Sequence, residues 1–297
     1  MGKIIELAGL EHTGKSFLAA FIAKNAQDMG IDVVWFDSEM AVNSQFLSNI
    51  GIDLSRFTYI PARTVEHVFE TIELLLGSKN KYLFVWDSLA LTPTEKESEG
   101  GWDPKADIAA KARVINLGVS KLLLPLGLSG STFLILNHLK TKIGAGMFDP
   151  EKFTTPGGKT FVYAYSLRLW LTLKLGKSNL LTNEFEIPIG SESRVTVKKS
   201  RFGTFGRTCN MKMIWGSEQI KMGNEELWFD ALEGSDSFKK GKKGWEVFTD
   251  KAGNEYNFRR TAFAEFLEKN PSLRPEIEEL LDYELIHKIN NRSVLDV

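Results

Sequence analysis

The chain has 297 residues, 43% of them hydrophobic and 25% charged, with 37 Lys and Arg against 38 Asp and Glu for a net charge of −1. This composition is typical of a folded globular protein, and it excludes both global disorder and attraction to nucleic acid by overall charge. The single cysteine, Cys209, excludes an internal disulfide, and we find no apolar run of the ~20 residues that a membrane span needs. We therefore predict a cytoplasmic protein with no membrane association.

Apolar runs of strand length alternate with longer helical patterns. The predicted strands are residues 4–9, 32–39, 81–91 and 131–138, and the predicted helices are 16–30, 65–78 and 108–126. This alternation is typical of βαβ units, so we predict an α/β fold with a mostly parallel central sheet flanked by helices. The later strand-like runs, residues 162–175, 184–189 and 193–201, have a more antiparallel character.

The chain is long enough for one large domain and a smaller one, because single cores stop growing near ~300 residues. We predict a core domain over residues 1–232 and a linker over 233–244, where the composition becomes polar, basic and rich in glycine. A hairpin pattern around residues 250–254 and two helical patterns follow. They predict a small α+β domain over residues 245–297.

Residues 9–16, GLEHTGKS, fit the phosphate-loop pattern G-x-x-x-x-G-K-[ST] and lie between a predicted strand and a predicted helix. In such a loop the backbone N–H groups and the helix N-terminus face the phosphates, the lysine contacts the β- and γ-phosphates, and the serine hydroxyl holds Mg²⁺. The pattern therefore predicts binding of ATP and Mg²⁺. The expected contact residues are Gly9, Leu10, Glu11, His12, Thr13, Gly14, Lys15, Ser16 and Phe17.

Acidic residues end two of the predicted strands. Asp87 closes an apolar strand, where a carboxylate can hold Mg²⁺ or its water; capping the next helix is the alternative. Glu39 closes the second strand and is placed to polarise the attacking water as a catalytic base. Asp37 competes for that role, and a third interpretation treats both acids as solvated strand ends.

Together these motifs resemble the RecA family of strand-exchange recombinases. The similarity follows the order of GLEHTGKS, FDSEM, VWDSLALTP, LILNHLKTKIG, TTPGGK and RVTVKKSR along nearly the whole chain. It implies a RecA-like P-loop ATPase core with a small C-terminal domain, DNA-dependent ATP hydrolysis, and homologous pairing and strand exchange on single-stranded DNA. It also implies that Glu39 activates water and that Asn43 and Phe46 contact adenine and ribose. Phe46 replaces the family's usual tyrosine and fits a helix core equally well.

The resemblance implies two DNA-binding loops. The first corresponds to residues 94–105, where Trp102 offers stacking or, alternatively, anchors the loop to the core. The second corresponds to residues 140–160, where lysines suit phosphates and phenylalanines suit unstacked bases. Its candidate DNA-binding residues are Lys140, Lys142, Phe148, Phe153 and Lys159.

Three further residues take family roles by resemblance. His138 occupies the position of a polar switch residue that senses the γ-phosphate, where most bacterial members have glutamine. Lys199 and Arg201 match a pair of cations that reach the neighbouring subunit's γ-phosphate. A plain structural histidine and a solvated strand end are the respective alternatives.

The family's usual N-terminal polymerisation element has no counterpart before Gly2 in this sequence. Self-association as a filament or ring is still expected, with single-stranded and duplex DNA as ligands and a partner recombinase or single-strand-binding protein as further candidates. The alternatives to a recombinase are an accessory RecA paralogue and, more distantly, a ring-forming DNA motor.

Overall fold

The computed structural model describes residues 2–78, 80–100, 108–142, 144, 152–173, 179–215, 221–222, 225–233 and 235–284. The strands are β1 Ile4–Gly9, β2 Asp32–Asp37, β3 Phe57–Pro61, β4 Tyr82–Asp87, β5 Thr132–His138, β6 Lys140–Thr141, β7 Phe153–Thr154, β8 Leu167–Leu173, β9 Leu180–Thr182, β10 Pro188–Ser200, β11 Thr208–Ile214, β12 Lys221–Met222, β13 Phe238–Lys240, β14 Trp245–Thr249 and β15 Glu255–Arg259. The α-helices are α1 Lys15–Asp28, α2 Ser44–Ile50, α3 Val65–Leu76, α4 Glu95–Glu99, α5 Ile108–Ser129, α6 Gly158–Ala164, α7 Glu225–Leu232, α8 Phe263–Lys269 and α9 Arg274–Asp282.

A ten-stranded sheet has the order β12-β11-β10-β8-β1-β5-β4-β2-β3, with β9 paired to β10. Strands β3, β2, β4, β5, β1 and β8 run parallel, whereas β10 runs antiparallel to β8. The predicted mostly parallel sheet is therefore confirmed. The register pairs Gly9 with His138 and Asp37 with Asp87, so these strand ends meet at one edge of the sheet.

Helices α3, α5 and α6 cover one face of this sheet with a shared apolar core. Trp86 stacks on Phe133 with ring centroids 6.1 Å apart, and Phe69 meets both rings edge-on. By length and composition alone, Ala110–Ser129 of α5 would suffice to cross a membrane. Its Ile115 and Val119 side chains, however, lie in the protein core, which is the usual position of a helix in an α/β domain.

The other face carries α1, which begins beside the phosphate loop. Ala19, Ala20 and Ala23 are fully buried, and their small side chains let the helix lie close to the sheet. Gly14 adopts a left-handed conformation with φ 79° immediately before the helix, which a residue with a Cβ rarely adopts. The sequence GK therefore fixes where the helix begins and directs its N-terminus to the edge where the strands end.

The chain divides into two compact units, Met1–Cys209 with Met213–Lys221 and Asn210–Lys212 with Met222–Val297. The second unit contains the antiparallel sheet β13-β14-β15 and a core rich in phenylalanine. The second unit begins earlier along the sequence than the small domain that we predicted, because residues 225–232 belong to it. The predicted linker 233–244 also contains a strand, β13. Phe238 of β13 is buried and pairs with Phe248, so one aromatic anchor orders a segment that otherwise reads as polar and flexible.

Candidate functional site

The phosphate loop curls tightly between β1 and α1. The Thr13 hydroxyl donates to the Leu10 carbonyl at 2.8 Å, and a Cβ added at Gly9 would lie only 2.4 Å from the Thr13 Oγ1. His12 has a left-handed backbone with φ 56°, as loops that point their N–H groups inward often do. The first backbone N–H groups of a helix have no intrahelical acceptor, so α1 offers them to an anion. This geometry fits a phosphate group.

Lys15 lies over the loop and is half-buried. Its Nζ donates to the carbonyl oxygens of Leu10 at 3.0 Å and Gly9 at 3.4 Å. Burial lowers the pKa of Lys15, and the carboxylates of Asp87 and Glu39 counteract that shift. An ammonium held by two carbonyls near carboxylates can exchange the carbonyls for phosphate oxygens, so its position fits the predicted role.

Ser16 and Asp87 meet at the start of α1. The Ser16 hydroxyl donates to Asp87 Oδ2 at 2.7 Å. Burial raises the pKa of Asp87 to about 7, with a contribution from Glu39, while the Ser16 hydrogen bond and Lys15 oppose the rise. A hydroxyl and a carboxylate are hard oxygen ligands of the kind that Mg²⁺ prefers, so the pair fits a magnesium site completed by phosphate oxygens and water.

Asp37 ends β2, whereas Glu39, which we predicted to close this strand, lies two residues beyond it, and the two acids have different surroundings. Asp37 is 1% exposed, and it accepts backbone N–H groups of Glu39 at 2.9 Å and Val42 at 3.0 Å. Its oxygens therefore hold the turn that follows the strand. The Glu39 carboxylate instead receives the Ser88 hydroxyl at 2.8 Å and lies 3.1 Å from His138 Nε2. Of the two candidates for water activation, the geometry favours Glu39.

Ser88 was not singled out from the sequence, although it directly follows Asp87. It is fully buried, and its backbone N–H donates to the Ser38 hydroxyl at 2.8 Å. Ser38 in turn donates its own N–H to the Asp87 carbonyl at 2.7 Å. The ends of β2 and β4 are thus linked by reciprocal bonds that orient Glu39. The same dipeptide, Asp-Ser, stands at the end of both strands as Asp37-Ser38 and Asp87-Ser88, and this repetition is the sequence signal that could have indicated the link.

A buried polar network extends from His138 toward the second predicted DNA loop. The Asn137 carboxamide donates to the Pro156 carbonyl at 2.9 Å and to Glu6 Oε1 at 3.1 Å, while its oxygen accepts the His138 backbone N–H at 3.0 Å. Arg168 Nε donates to Glu6 Oε2 at 2.6 Å. Glu6 is fully buried, so this ion pair lies inside the domain. In the sequence, this ion pair was indicated only by Glu6 as the single acidic residue within the apolar strand IIELAG.

Asn43 and Phe46 have local partners. The Asn43 side chain accepts the Gln45 N–H at 2.7 Å and thereby caps α2. The half-buried Phe46 ring lies 6.5 Å from the Phe17 ring, centroid to centroid. These contacts are sufficient to explain both residues structurally, and their predicted contacts with adenine and ribose stay predictions.

Lys199 and Arg201 converge on the carboxyl end of α6. Lys199 Nζ donates to the carbonyls of Val162 at 2.6 Å and Tyr163 at 2.9 Å, and Arg201 donates to the Tyr163 carbonyl at 2.8 Å. Burial lowers the pKa of Lys199, and the positive charge of Arg201 adds to this effect. The two cations therefore share one anchor on their own chain.

The predicted DNA loops are described in part. Trp102 and Phe148 lie outside the described residues, as does the side chain of Lys159. Lys140 and Thr141 pair with Thr154 and Phe153 in the β6-β7 hairpin, and Lys142 donates its N–H to the Lys152 carbonyl at 2.7 Å. Within residues 140–160, a hairpin therefore forms the base of the second predicted DNA loop, and α6 begins at Gly158.

Comparison with known proteins gives a matching family model and relatives whose names agree with it. The sequence model of the RecA N-terminal domain matches residues 1–220. Protein RecA of Bifidobacterium breve is 27% identical over 277 residues, which cover 93% of this chain and 67% of the relative. Protein RecA of Frankia alni is 27% identical over 288 residues, covering 96% and 78%. Protein RecA of Heliobacterium modesticaldum is 28% identical over 284 residues, covering 94% and 77%.

Proposed function

The chain belongs to the RecA N-terminal domain family, and we propose that it is an ATP-dependent recombinase that binds single-stranded DNA and pairs it with homologous duplex DNA. The family match and the edge where the phosphate loop meets Asp87, Glu39 and His138 support this proposal. We propose a cytoplasmic location and self-association on DNA. A partner recombinase or a single-strand-binding protein would act with it.

The nucleotide site would work through residues of β1, α1 and β4. The loop N–H groups and Lys15 bind the phosphates, and Lys15 neutralises charge on the γ-phosphate as it is transferred. Ser16 and Asp87 would hold Mg²⁺, which would supply positive charge against the negative charge that develops on the phosphates. The existing contact between Ser16 and Asp87 supports this role because both oxygens already lie side by side.

Glu39 would act on the attacking water. Its carboxylate is held by Ser88 at 2.8 Å and lies beside the phosphate loop, so one oxygen can accept a proton from water near the γ-phosphate. The contact with His138 places a second polar group at the same position. We propose that His138 senses the γ-phosphate and passes this information through Asn137, which donates to the Pro156 carbonyl, toward the second DNA loop.

Lys199 and Arg201 would complete the site of a neighbouring subunit. Cations supplied in trans stabilise the transition state of phosphoryl transfer, so hydrolysis would require assembly. The pair would then leave the Val162 and Tyr163 carbonyls that hold it in the single chain. Lys140, Lys142 and Phe153 would contact single-stranded DNA from the hairpin and its flanks.

An ATPase assay with and without single-stranded DNA tests the proposal. We expect DNA to stimulate hydrolysis, and Glu39→Gln to keep ATP affinity while turnover falls about 10²- to 10⁴-fold, the usual contribution of a general base. Glu70→Gln, which changes an exposed acid of α3 outside the phosphate loop, is the matched control and should retain turnover. Hydrolysis that DNA does not stimulate, together with DNA binding that ignores ATP, would rule the recombinase out.

Electron microscopy with a nonhydrolysable ATP analogue addresses the accessory alternative. A recombinase should coat single-stranded DNA as the purified chain alone. Assembly only after addition of a second recombinase would favour an accessory paralogue, and translocation-dependent unwinding of duplex DNA would favour a ring-forming motor.

A further inference from the structure

A buried cluster of polar side chains crosses three neighbouring strands of the large sheet. Glu6 of β1 and Arg168 of β8 are partners in the strand register, and Asn137 lies near the end of β5. Glu6 and Asn137 are fully buried, and the Arg168 side chain is 11% exposed. Replacing a buried ion pair with apolar residues of similar volume is often neutral or stabilising. Stability alone therefore does not explain why the sheet contains this charged pair.

The two carboxylate oxygens of Glu6 hold different partners. Oε1 accepts from the Asn137 carboxamide at 3.1 Å, and Oε2 accepts from Arg168 Nε at 2.6 Å. The Asn137 carboxamide also donates to the Pro156 carbonyl at 2.9 Å. Arg168 Nη2 donates to the Thr155 hydroxyl at 3.1 Å. Two adjacent residues near the end of the second predicted DNA loop are thus held, through two different side chains, by one buried carboxylate.

Aromatic rings fix the orientation of the Arg168 guanidinium. Its central carbon lies 5.6 Å from the centre of the Tyr165 ring and 5.7 Å from the centre of the Trp170 ring. Contacts with two rings, together with the ion pair, leave this side chain little rotational freedom. A guanidinium presents its donors in a rigid, planar fork, so Arg168 can serve Glu6 and Thr155 at once, whereas a lysine ammonium lacks this geometry. Arg168 therefore holds Thr155 in one defined position.

The cluster also reaches the edge of the sheet that carries the phosphate loop. Asn137 Oδ1 accepts the His138 backbone N–H at 3.0 Å, and His138 Nε2 lies 3.1 Å from Glu39 Oε1. A displacement of His138 therefore changes the position of Asn137, and Glu6 connects Asn137 to Arg168. Chains of hydrogen bonds between packed groups are one way in which two distant sites are coupled. One end of this chain lies at the nucleotide edge and the other at the loop.

We propose that Glu6, Arg168 and Thr155 form a second connection between the nucleotide site and the second DNA loop, beside the Asn137–Pro156 contact, and that Arg168 is a positioning residue for this loop. The inference rests on the proposed function and deepens it, because it assigns the regulation of DNA binding to side chains outside both sites. Loss of the connection should reduce the factor by which ATP raises DNA affinity. The affinity for ATP without DNA should stay the same.

The quantity to measure is the coupling factor, the Kd of a labelled oligothymidylate without nucleotide divided by its Kd with a nonhydrolysable ATP analogue and Mg²⁺. By linkage, the oligonucleotide raises the affinity for the analogue by the same factor, and fluorescence anisotropy gives both Kd values. Thr155→Val removes the hydroxyl that accepts from Arg168 and keeps the side-chain shape. The coupling factor should fall by about 2- to 30-fold. Thr155→Ser keeps the hydroxyl and should retain the wild-type factor.

A matched control and a second substitution separate the Arg168 contact from other effects of the hydroxyl. Thr172→Val makes the same chemical change at another half-buried threonine, four residues beyond Arg168 on β8, and should keep the wild-type factor. Arg168→Lys keeps the positive charge beside Glu6 but loses the planar fork, so the factor should fall. Adding Thr155→Val to Arg168→Lys should lower it no further, because both changes remove the same contact.

The outcomes separate the inference from the proposed function. If ATP does not raise the DNA affinity of the wild type, both fail. If the wild type is coupled and Thr155→Val keeps its factor, or Thr155→Ser loses it, the inference alone is wrong. If Thr155→Val lowers the factor equally in the wild type and in Arg168→Lys, the hydroxyl acts on DNA directly, which also overturns the inference. Should Arg168→Lys unfold below the assay temperature, the comparison of Thr155→Val with Thr155→Ser still decides.

Discussion

The ion pair between Glu6 and Arg168 is the most heavily buried charge pair among the described residues, and its removal should destabilise the first unit. Glu6 is fully buried, the Arg168 side chain is 11% exposed, and Nε lies 2.6 Å from Oε2. Arg168→Met would leave the Glu6 carboxylate buried without its cation, although the Asn137 carboxamide would still donate to it. Stranding one member of a buried pair costs about 3–5 kcal/mol in the free energy of unfolding, because the remaining charge has lost both water and partner.

The size of this effect can be measured by calorimetry. For a unit of this length, 1 kcal/mol corresponds to a change in Tm of about 2–4 °C, so Arg168→Met should lower the Tm of the first unit by roughly 6–20 °C. The double variant Glu6→Gln with Arg168→Met carries no stranded charge and should recover a large part of that loss. Scanning calorimetry of the wild type and of each variant gives the Tm values to be compared.

A surface pair supplies the control for this prediction. Lys24 and Asp28 form an exposed ion pair one turn apart on α1, and exposed pairs contribute only about 0–1 kcal/mol. Lys24→Met should therefore change the Tm little. A loss of less than about 1 kcal/mol in Arg168→Met, or a double variant no more stable than the single one, would refute the reasoning that burial makes the charge costly.

Further predictions concern the nucleotide site. Arg201→Ala should keep ATP affinity but lower DNA-stimulated turnover by about 10³-fold or more, measured at saturating protein, and an unchanged rate would exclude a role in trans. Burial raises the pKa of Asp87 to about 7, and Mg²⁺ needs the ionised carboxylate. Apparent Mg²⁺ affinity, corrected for protonation of ATP, should therefore fall about tenfold from pH 8 to pH 6; a flat profile would contradict this. Gly9→Ala places a Cβ 2.4 Å from Thr13 Oγ1, so ATP affinity in a titration with a fluorescent analogue should fall. Gly127→Ala, whose Cβ meets nothing within 4 Å, should leave it unchanged.

Much of the fold could be predicted because buried parallel strands leave a strong local signal. Residues 82–87 and 132–138 are apolar runs buried on both faces, and each ends at a polar residue near the site. Helix α5 was predicted to end at Leu126 but continues to Ser129, past Pro125. The local sequence pattern predicts that such a helix exists, but it predicts the terminal residues poorly. The ends depend on contacts with residues far along the chain.

The part of the candidate site that could be predicted is the part formed by consecutive residues. GLEHTGKS specifies its own loop, since its glycines and its lysine act within eight consecutive residues. The preference for Glu39 over Asp37 required the structure, because both are acids near one strand end. Backbone N–H groups donate to Asp37, whereas the Ser88 hydroxyl and His138 contact Glu39. The contact of Asn137 with Pro156 joins residues 19 apart and has no periodic signature.

Lys199 and Arg201 are both held by the last turn of α6, which connects their positions to that of the helix. The helix begins at Gly158, where the second predicted DNA loop ends, and its last carbonyls hold both cations. These hydrogen bonds hold both side chains against the last turn of α6, so a displacement of this helix would move the two cations together. Under the proposed function, the second predicted DNA loop and the two cations offered to a neighbouring subunit would therefore be coupled through α6, so that DNA binding and subunit contact would influence each other through a single helix.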